Sequence, residues 1–221
     1  NTTAGFSIVK YTGNGSTNQT VGHGLGAVPD FIIIKQTNTT RNWPTYSKAM
    51  GNGVAFLDIT DAWNGGSGYT NYWYTSGMTN TTFGISNNDN NNQSGGTFIA
   101  YVFSSKTGYS KFGKYTGNAN ADGTFVYTGF KPAWLMVKRT DSTQDWRIFD
   151  SSRSPFNIMT NQLKANTSDL EGTSADFFDF TSNGFKIRKN SDAINASGGT
   201  YIYMAFGQSL VGSNNIPCTA R

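Results

Sequence analysis

The chain repeats itself in one register. Lys10-Tyr11-Thr12-Gly13-Asn14 returns as Lys114-Tyr115-Thr116-Gly117-Asn118, and Pro29-Asp30-Phe31-Ile32-Ile33-Ile34-Lys35 returns as Pro132-Ala133-Trp134-Leu135-Met136-Val137-Lys138. Trp43 returns as Trp146, and Ser94-Gly95-Gly96-Thr97-Phe98 returns as Ser197-Gly198-Gly199-Thr200-Tyr201. The spacing holds at about 103 residues, beyond the roughly 20–50 residues of solenoid and propeller repeats and close to one small domain. The expected organisation is therefore two copies of one domain, residues 1–105 and 106–210. Residues 211–221 have no repeat partner and read as a C-terminal tail.

Each copy reads as β-structure. Residues 31–34 and their twins 134–137 are short continuous apolar runs behind a proline, which predicts buried strands. Residues 98–103 and 201–206 are apolar on both alternating faces, which predicts central strands of a packed sheet. Phe185 and Ile187 alternate with Lys186 and Arg188, the pattern of a half-exposed strand. Asn- and Gly-rich clusters at 12–15, 64–66 and 183–184 supply turns that need positive φ. Seven or eight short strands per copy, evenly punctuated, predict an all-β fold of two tandem β-sandwich, jelly-roll-like domains. One short helix is expected, over 159–165.

Composition narrows the class. Aromatic residues make up 14% of the 221 residues and charged residues also 14%, against a usual charged share of about 25%. Solubility then rests on Asn, Ser, Thr and Gly, a profile common in extracellular and virion β-proteins. The formal charge of +4 is small, and the longest basic cluster is Lys186-Ile187-Arg188-Lys189, so a nucleic-acid partner is not expected. The apolar runs are too short to cross a bilayer as helices, so membrane insertion is not expected. The single cysteine, Cys218, permits neither an intrachain disulfide nor a cysteine zinc site. The chain does not begin with Met, so it is expected to be processed or part of something longer. Asn-x-Ser/Thr triplets at Asn14, Asn18, Asn38, Asn80, Asn92, Asn166 and Asn195 follow from composition.

Groups that carry chemistry are few. His23 is the single histidine, and the second copy has Tyr127 in its place. Without a second histidine or a nearby thiol, a turn role suits it better than catalysis or metal binding. Asp58 with Asp61, and Asp176 with Asp179, are close in sequence but lack the cross-cleft arrangement of a glycosidase pair. Asp141 and Asp145 bracket a loop whose first-copy counterpart has no acid. The 87–92 run of Asn around Asp89 is rich in oxygens but has one carboxylate, too few for a calcium loop. Gly22-His23-Gly24-Leu25-Gly26 lacks the Lys-Ser/Thr of a phosphate loop. No catalytic residue, metal ligand or cofactor is expected. The aromatic stretch Trp63, Tyr69, Tyr72, Trp73 and Tyr74 remains. It reads either as core packing of a long loop or as an exposed platform for a sugar ring or a protein partner. Since function is expected where the copies differ, these five residues are the candidate binding site.

The repeated grammar resembles a known pattern. Tyr-Thr-Gly-Asn is followed by a Gly-rich link, then Pro with an aromatic-aliphatic strand ending in Lys, then a polar loop ending in Trp. Ser182-Asn183-Gly184-Phe185 and the strand from Ser197 to Phe206 complete it. Together these motifs resemble an uncharacterised tandem β-domain of bacteriophage and marine-virus tail-fibre and virion surface proteins. The resemblance covers nearly the whole chain, and the second copy matches it better. It implies a non-enzymatic tail-fibre or adhesin module on the virion surface. Its implied partners are other virion proteins and a host cell-surface glycan, with assembly as a homo-oligomer. The alternatives are a capsid decoration or head-fibre protein and a polysaccharide-cleaving enzyme. The resemblance implies no catalytic residues.

Overall fold

A computed structural model of the chain describes residues 1–64, 69, 71–173 and 175–207. The tail and Cys218 lie outside the described residues. The fold is all-β, and the chain divides into two compact units, Asn1–Ser104 and Ser105–Arg221.

The first unit contains β1 (Phe6–Thr12), β2 (Gln19–Gly22), β3 (Phe31–Gln36), β4 (Pro44–Ser47), β5 (Ala55–Phe56), β6 (Thr82–Ile85) and β7 (Thr97–Phe103). Its larger sheet has the order β1-β7-β3-β4-β5, and β2 pairs with β6 in a second sheet. The Phe31–Ile34 run is buried nearly throughout because β3 lies between β7 and β4, with Ile32 opposite Val102 on one side and Tyr46 on the other. Ile32, Ile34, Phe98, Ala100 and Val102 of the larger sheet join Phe83 and Ile85 of the smaller in one core. The two sheets thus face each other across that core, in the manner of a sandwich.

The second unit contains β8 (Ser110–Thr116), β9 (Phe125–Tyr127), β10 (Pro132–Arg139), β11 (Arg147–Asp150), β12 (Leu163–Lys164), β13 (Phe178–Thr181), β14 (Gly184–Ile187) and β15 (Thr200–Gly207). The larger sheet has the order β8-β15-β10-β11-β12, and the smaller β9-β14-β13. Leu135, Val137, Tyr201, Tyr203 and Ala205 meet Phe178, Phe180, Phe185 and Ile187 in a separate core. Burial holds the Tyr203 hydroxyl protonated, raising its pKa to about 12. Burial also raises Tyr115 and Tyr11 well above the ordinary tyrosine value.

The larger sheets carry the same strand order, and their registers correspond. Phe31 faces Phe103 as Trp134 faces Phe206. The loops are held by matching polar contacts. The Tyr11 hydroxyl donates to Asn91 O at 2.6 Å, and the Tyr115 hydroxyl to Ile194 O at 2.8 Å. Asn14 N donates to Asn92 Oδ1 and Asn118 N to Asn195 Oδ1, each at 2.9 Å. Lys35 Nζ donates to Arg41 O at 2.6 Å, and Lys138 Nζ to Gln144 O at 2.8 Å. Trp43 N bonds Asp58 Oδ1, and Trp146 N bonds Asn166 Oδ1.

Two departures from the sequence reading have clear causes. The helix expected over 159–165 is not formed. Met159 N donates to Phe178 O, Gln162 and Gly172 exchange backbone bonds, and Leu163–Lys164 form β12. So short a segment makes too few internal bonds to offset helix nucleation, whereas these groups find backbone partners on neighbouring segments. Conversely, the polar runs around Asp89 and Asp192 contain single helical turns, α1 (Asp89–Asn92) and α2 (Asp192–Asn195). They place Asn92 and Asn195, both buried, where their amides hold the Tyr-Thr-Gly-Asn loop. Among the described residues no helix is long and apolar enough to cross a membrane.

Candidate functional site

The aromatic stretch of the first unit divides between core and surface. Tyr72 and Trp73 are buried in the core, Trp73 at 3% exposure, with its ring 5.5 Å from that of Tyr46. The cause is a backbone pairing. Tyr74 N donates to Gly84 O and Ser86 N to Tyr72 O, so residues 72–74 lie along the free edge of β6. The approach is close: a Cβ on Gly84 would stand 1.9 Å from Tyr74 O. In the second unit β13 occupies the matching flank of β14, with Phe178 and Phe180 buried. Tyr72 and Trp73 therefore close the sandwich, as those phenylalanines do, and present no face to a partner. The Tyr72 hydroxyl accepts from Asn90 Nδ2 at 3.0 Å. Tyr74 and Trp63 are partly exposed, and Tyr69, at 38% exposure, stacks on Tyr72. The intervening residues 65–68 and 70 lie outside the described residues.

The other sequence candidates are absorbed by structure. His23 is buried, accepts from Leu25 N at Nδ1 (3.0 Å) and lies 3.2 Å from Thr79 O at Nε2. That geometry fits the tautomer protonated at Nε2, which serves a turn. Asp179 pairs with Arg188, Asp145 with Lys164, and Asp141 with Arg139. Among the described residues no three His, Cys, Asp or Glu side chains come together.

The structure instead draws attention to a loop with no sequence motif. Residues 151–162 join β11 to β12, where the first unit has only 48–54 between β4 and β5. The roots of the two loops match rung for rung. Pro44 faces Phe56 and Thr45 faces Ala55, as Arg147 faces Lys164 and Ile148 faces Leu163. The extra length is pinned at several points. Asp150 accepts from Ser152 N, Arg153 N and, at 2.5 Å, Arg153 Nε. Partial burial pushes the Asp150 pKa up, but the hydrogen bonds and charge of Arg153 outweigh it, and the carboxyl titrates below its usual range. Arg153 also reaches Glu171, and Ser154 Oγ accepts from Asn161 N. The Asn157 amide acts as a piece of strand: its Nδ2 donates to Phe180 O and its Oδ1 accepts from Phe180 N. With the Met159–Phe178 bridge, the loop covers the outer edge of β13, which would otherwise be open to pairing.

Beside this pinned loop lies a cleft of about 320 Å³. Met159 and Phe180, both buried, line it. Ser151, Ser154 and Lys131 supply polar lining. Phe156 also lines it, with 80% of its surface exposed. An exposed aromatic ring on a rigidly held loop is not needed for folding, and it is already ordered for contact. The cleft thus presents apolar and aromatic surface, hydroxyls and one cation. Sequence reasoning missed it because its signal is a length difference between the repeats, visible only after alignment of the flanking strands.

No curated protein and no solved structure matches the chain. A family profile, described as Domain of unknown function (DUF7483), matches residues 1–209 and so runs through both units. By that match the chain belongs to the DUF7483 domain family.

Proposed function

We propose that this chain is a non-enzymatic module of a bacteriophage virion surface, a tail-fibre or adhesin segment built by internal duplication of one jelly-roll-like β-sandwich. The matching strand order, register and loop contacts of the two units support the duplication. The observation that carries the binding role is Phe156, exposed on a pinned loop beside a ligand-sized cleft. The ligand is a host-surface glycan. Several copies on one particle make weak contacts strong, because each binding event raises the local concentration for the next.

Purified chain added to host cells should compete with particle adsorption, and antibody to the chain should decorate the tail of intact particles. Decoration confined to the head, with no competition, would favour a capsid decoration protein instead. Incubation of the chain with host polysaccharide should release no reducing ends. Sustained release would overturn the non-enzymatic reading.

A further inference from the structure

We propose that Asn52 is a modification site, at which the chain converts an asparagine to aspartate and isoaspartate without an enzyme. The site lies in the first unit, and water is the co-reactant its chemistry needs.

Such a conversion begins when a main-chain nitrogen attacks the side-chain carboxamide of the residue before it. Glycine in the second position favours the attack, because no Cβ crowds the approach. Asn-Gly occurs at Asn14-Gly15, Asn52-Gly53, Asn64-Gly65 and Asn183-Gly184, and Gly65 lies outside the described residues. The fold treats the other three pairs differently. Gly15 N donates away from its asparagine, to Asn92 O at 2.8 Å. The Asn14 side chain is held by Gln19, Ser16 and Asn92. Gly184 pairs with Thr181 on one side and Tyr127 on the other, in the middle strand of the smaller sheet. Both glycines are thereby fixed by partners other than their asparagine.

Asn52 is the exception. It is exposed, in the loop between β4 and β5. Gly53 N donates to Asn52 Oδ1 at 3.1 Å, and among the described residues that side chain makes no other hydrogen bond. Nitrogen and carboxamide already stand together, which removes much of the orientational cost of closing the ring. A second contact acts on the nitrogen itself. Trp63 Nε1 donates to Asn52 O at 3.4 Å, the carbonyl of the same peptide group as Gly53 N. A donor on that oxygen stabilises the charge that develops as the N–H gives up its proton. Hydroxide takes that proton, and the nitrogen electron pair forms a bond to Asn52 Cγ. The Cγ–Nδ2 bond breaks, and ammonia leaves with a proton from water. Water then opens the cyclic imide at either carbonyl, giving aspartate or isoaspartate. Exposure admits the water that these steps consume.

The test ages the full chain in mildly alkaline buffer, folded and in urea. Peptides are mapped by mass spectrometry, with fragmentation that separates isoaspartate from aspartate. In the folded chain Asn52 should convert ahead of Asn14 and Asn183, and in urea that lead should vanish. Trp63→Phe should slow conversion at Asn52 by about two- to tenfold, the worth of one hydrogen bond, and leave Asn14 and Asn183 unchanged. A variant that failed to fold would speed Asn14 and Asn183 as urea does, and the comparison of folded and denatured parent then decides. Asn14 or Asn183 converting as fast as Asn52 in the folded chain overturns the site. A lead of Asn52 that persists in urea overturns its structural basis. An unchanged rate at Asn52 in folded Trp63→Phe overturns the activation by Trp63.

Discussion

At the scale of single residues, one aromatic side chain can mean core or contact, and backbone pairing decides which. Trp73 and Phe156 are both large, apolar and set in long polar loops. Trp73 lies along the edge of β6 and is driven inward, whereas Phe156 follows Pro155 in a loop whose backbone is tied down on either side of it. Trp73→Ala should cost about 3–5 kcal/mol, the usual loss for a buried aromatic, read as a lower midpoint in denaturant. Phe156→Ala should cost almost none. Asp150 offers a test in pH. Its folded pKa is depressed, so its contribution is present above the unfolded value near pH 4 and is lost as pH falls through the folded value. Asp150→Asn should therefore lower the melting temperature at pH 7, and the gap from the parent should shrink as pH falls below the ordinary carboxylate range and through the depressed folded value.

At the scale of elements, the long strands were legible and the short pieces were not. The runs at 31–34 and 98–103, with their repeats, announced β3, β7, β10 and β15, strands that each lie between two neighbours in the larger sheets and carry apolar residues along most of their length. The edge segments at 72–74 and 157–159 carry no alternation, since side-chain amides and single backbone bonds hold them in place of a ladder. α1 and α2 are one turn each and have no period to read. Their weight lies in two buried amides. Asn195 accepts from Asn118 N and donates to Asn120 O and Lys189 O. Asn92 plays the same part toward Asn14 and Ser16. Asn195→Ala should orphan buried partners at about 1–3 kcal/mol each. Asn92→Ala should destabilise comparably, and hydrogen exchange should show 117–123 opening in one variant and 13–17 in the other.

At the scale of the whole molecule, two cores are assembled from separate stretches of chain. Each unit produced alone, cut between Ser104 and Ser105, is expected to melt cooperatively. A unit that shows no transition would mean that its core does not suffice. In the intact chain, buried tyrosines should set the alkaline limit. Tyr203 has a folded pKa of about 12, raised from the ordinary value near 10. Its contribution is complete below pH 10 and is lost as pH rises toward 12. Tyrosinate absorbance should rise in that window together with loss of structure. The matched rungs at the roots of loops 48–54 and 151–162 carry a wider implication. Strand register is settled before the chain leaves the sheet and resumes when it returns, so segment length there is uncoupled from folding, and loop closure penalises added residues only weakly. The exterior of such a protein can lengthen and diversify over generations, while the interior that makes it fold is inherited unaltered.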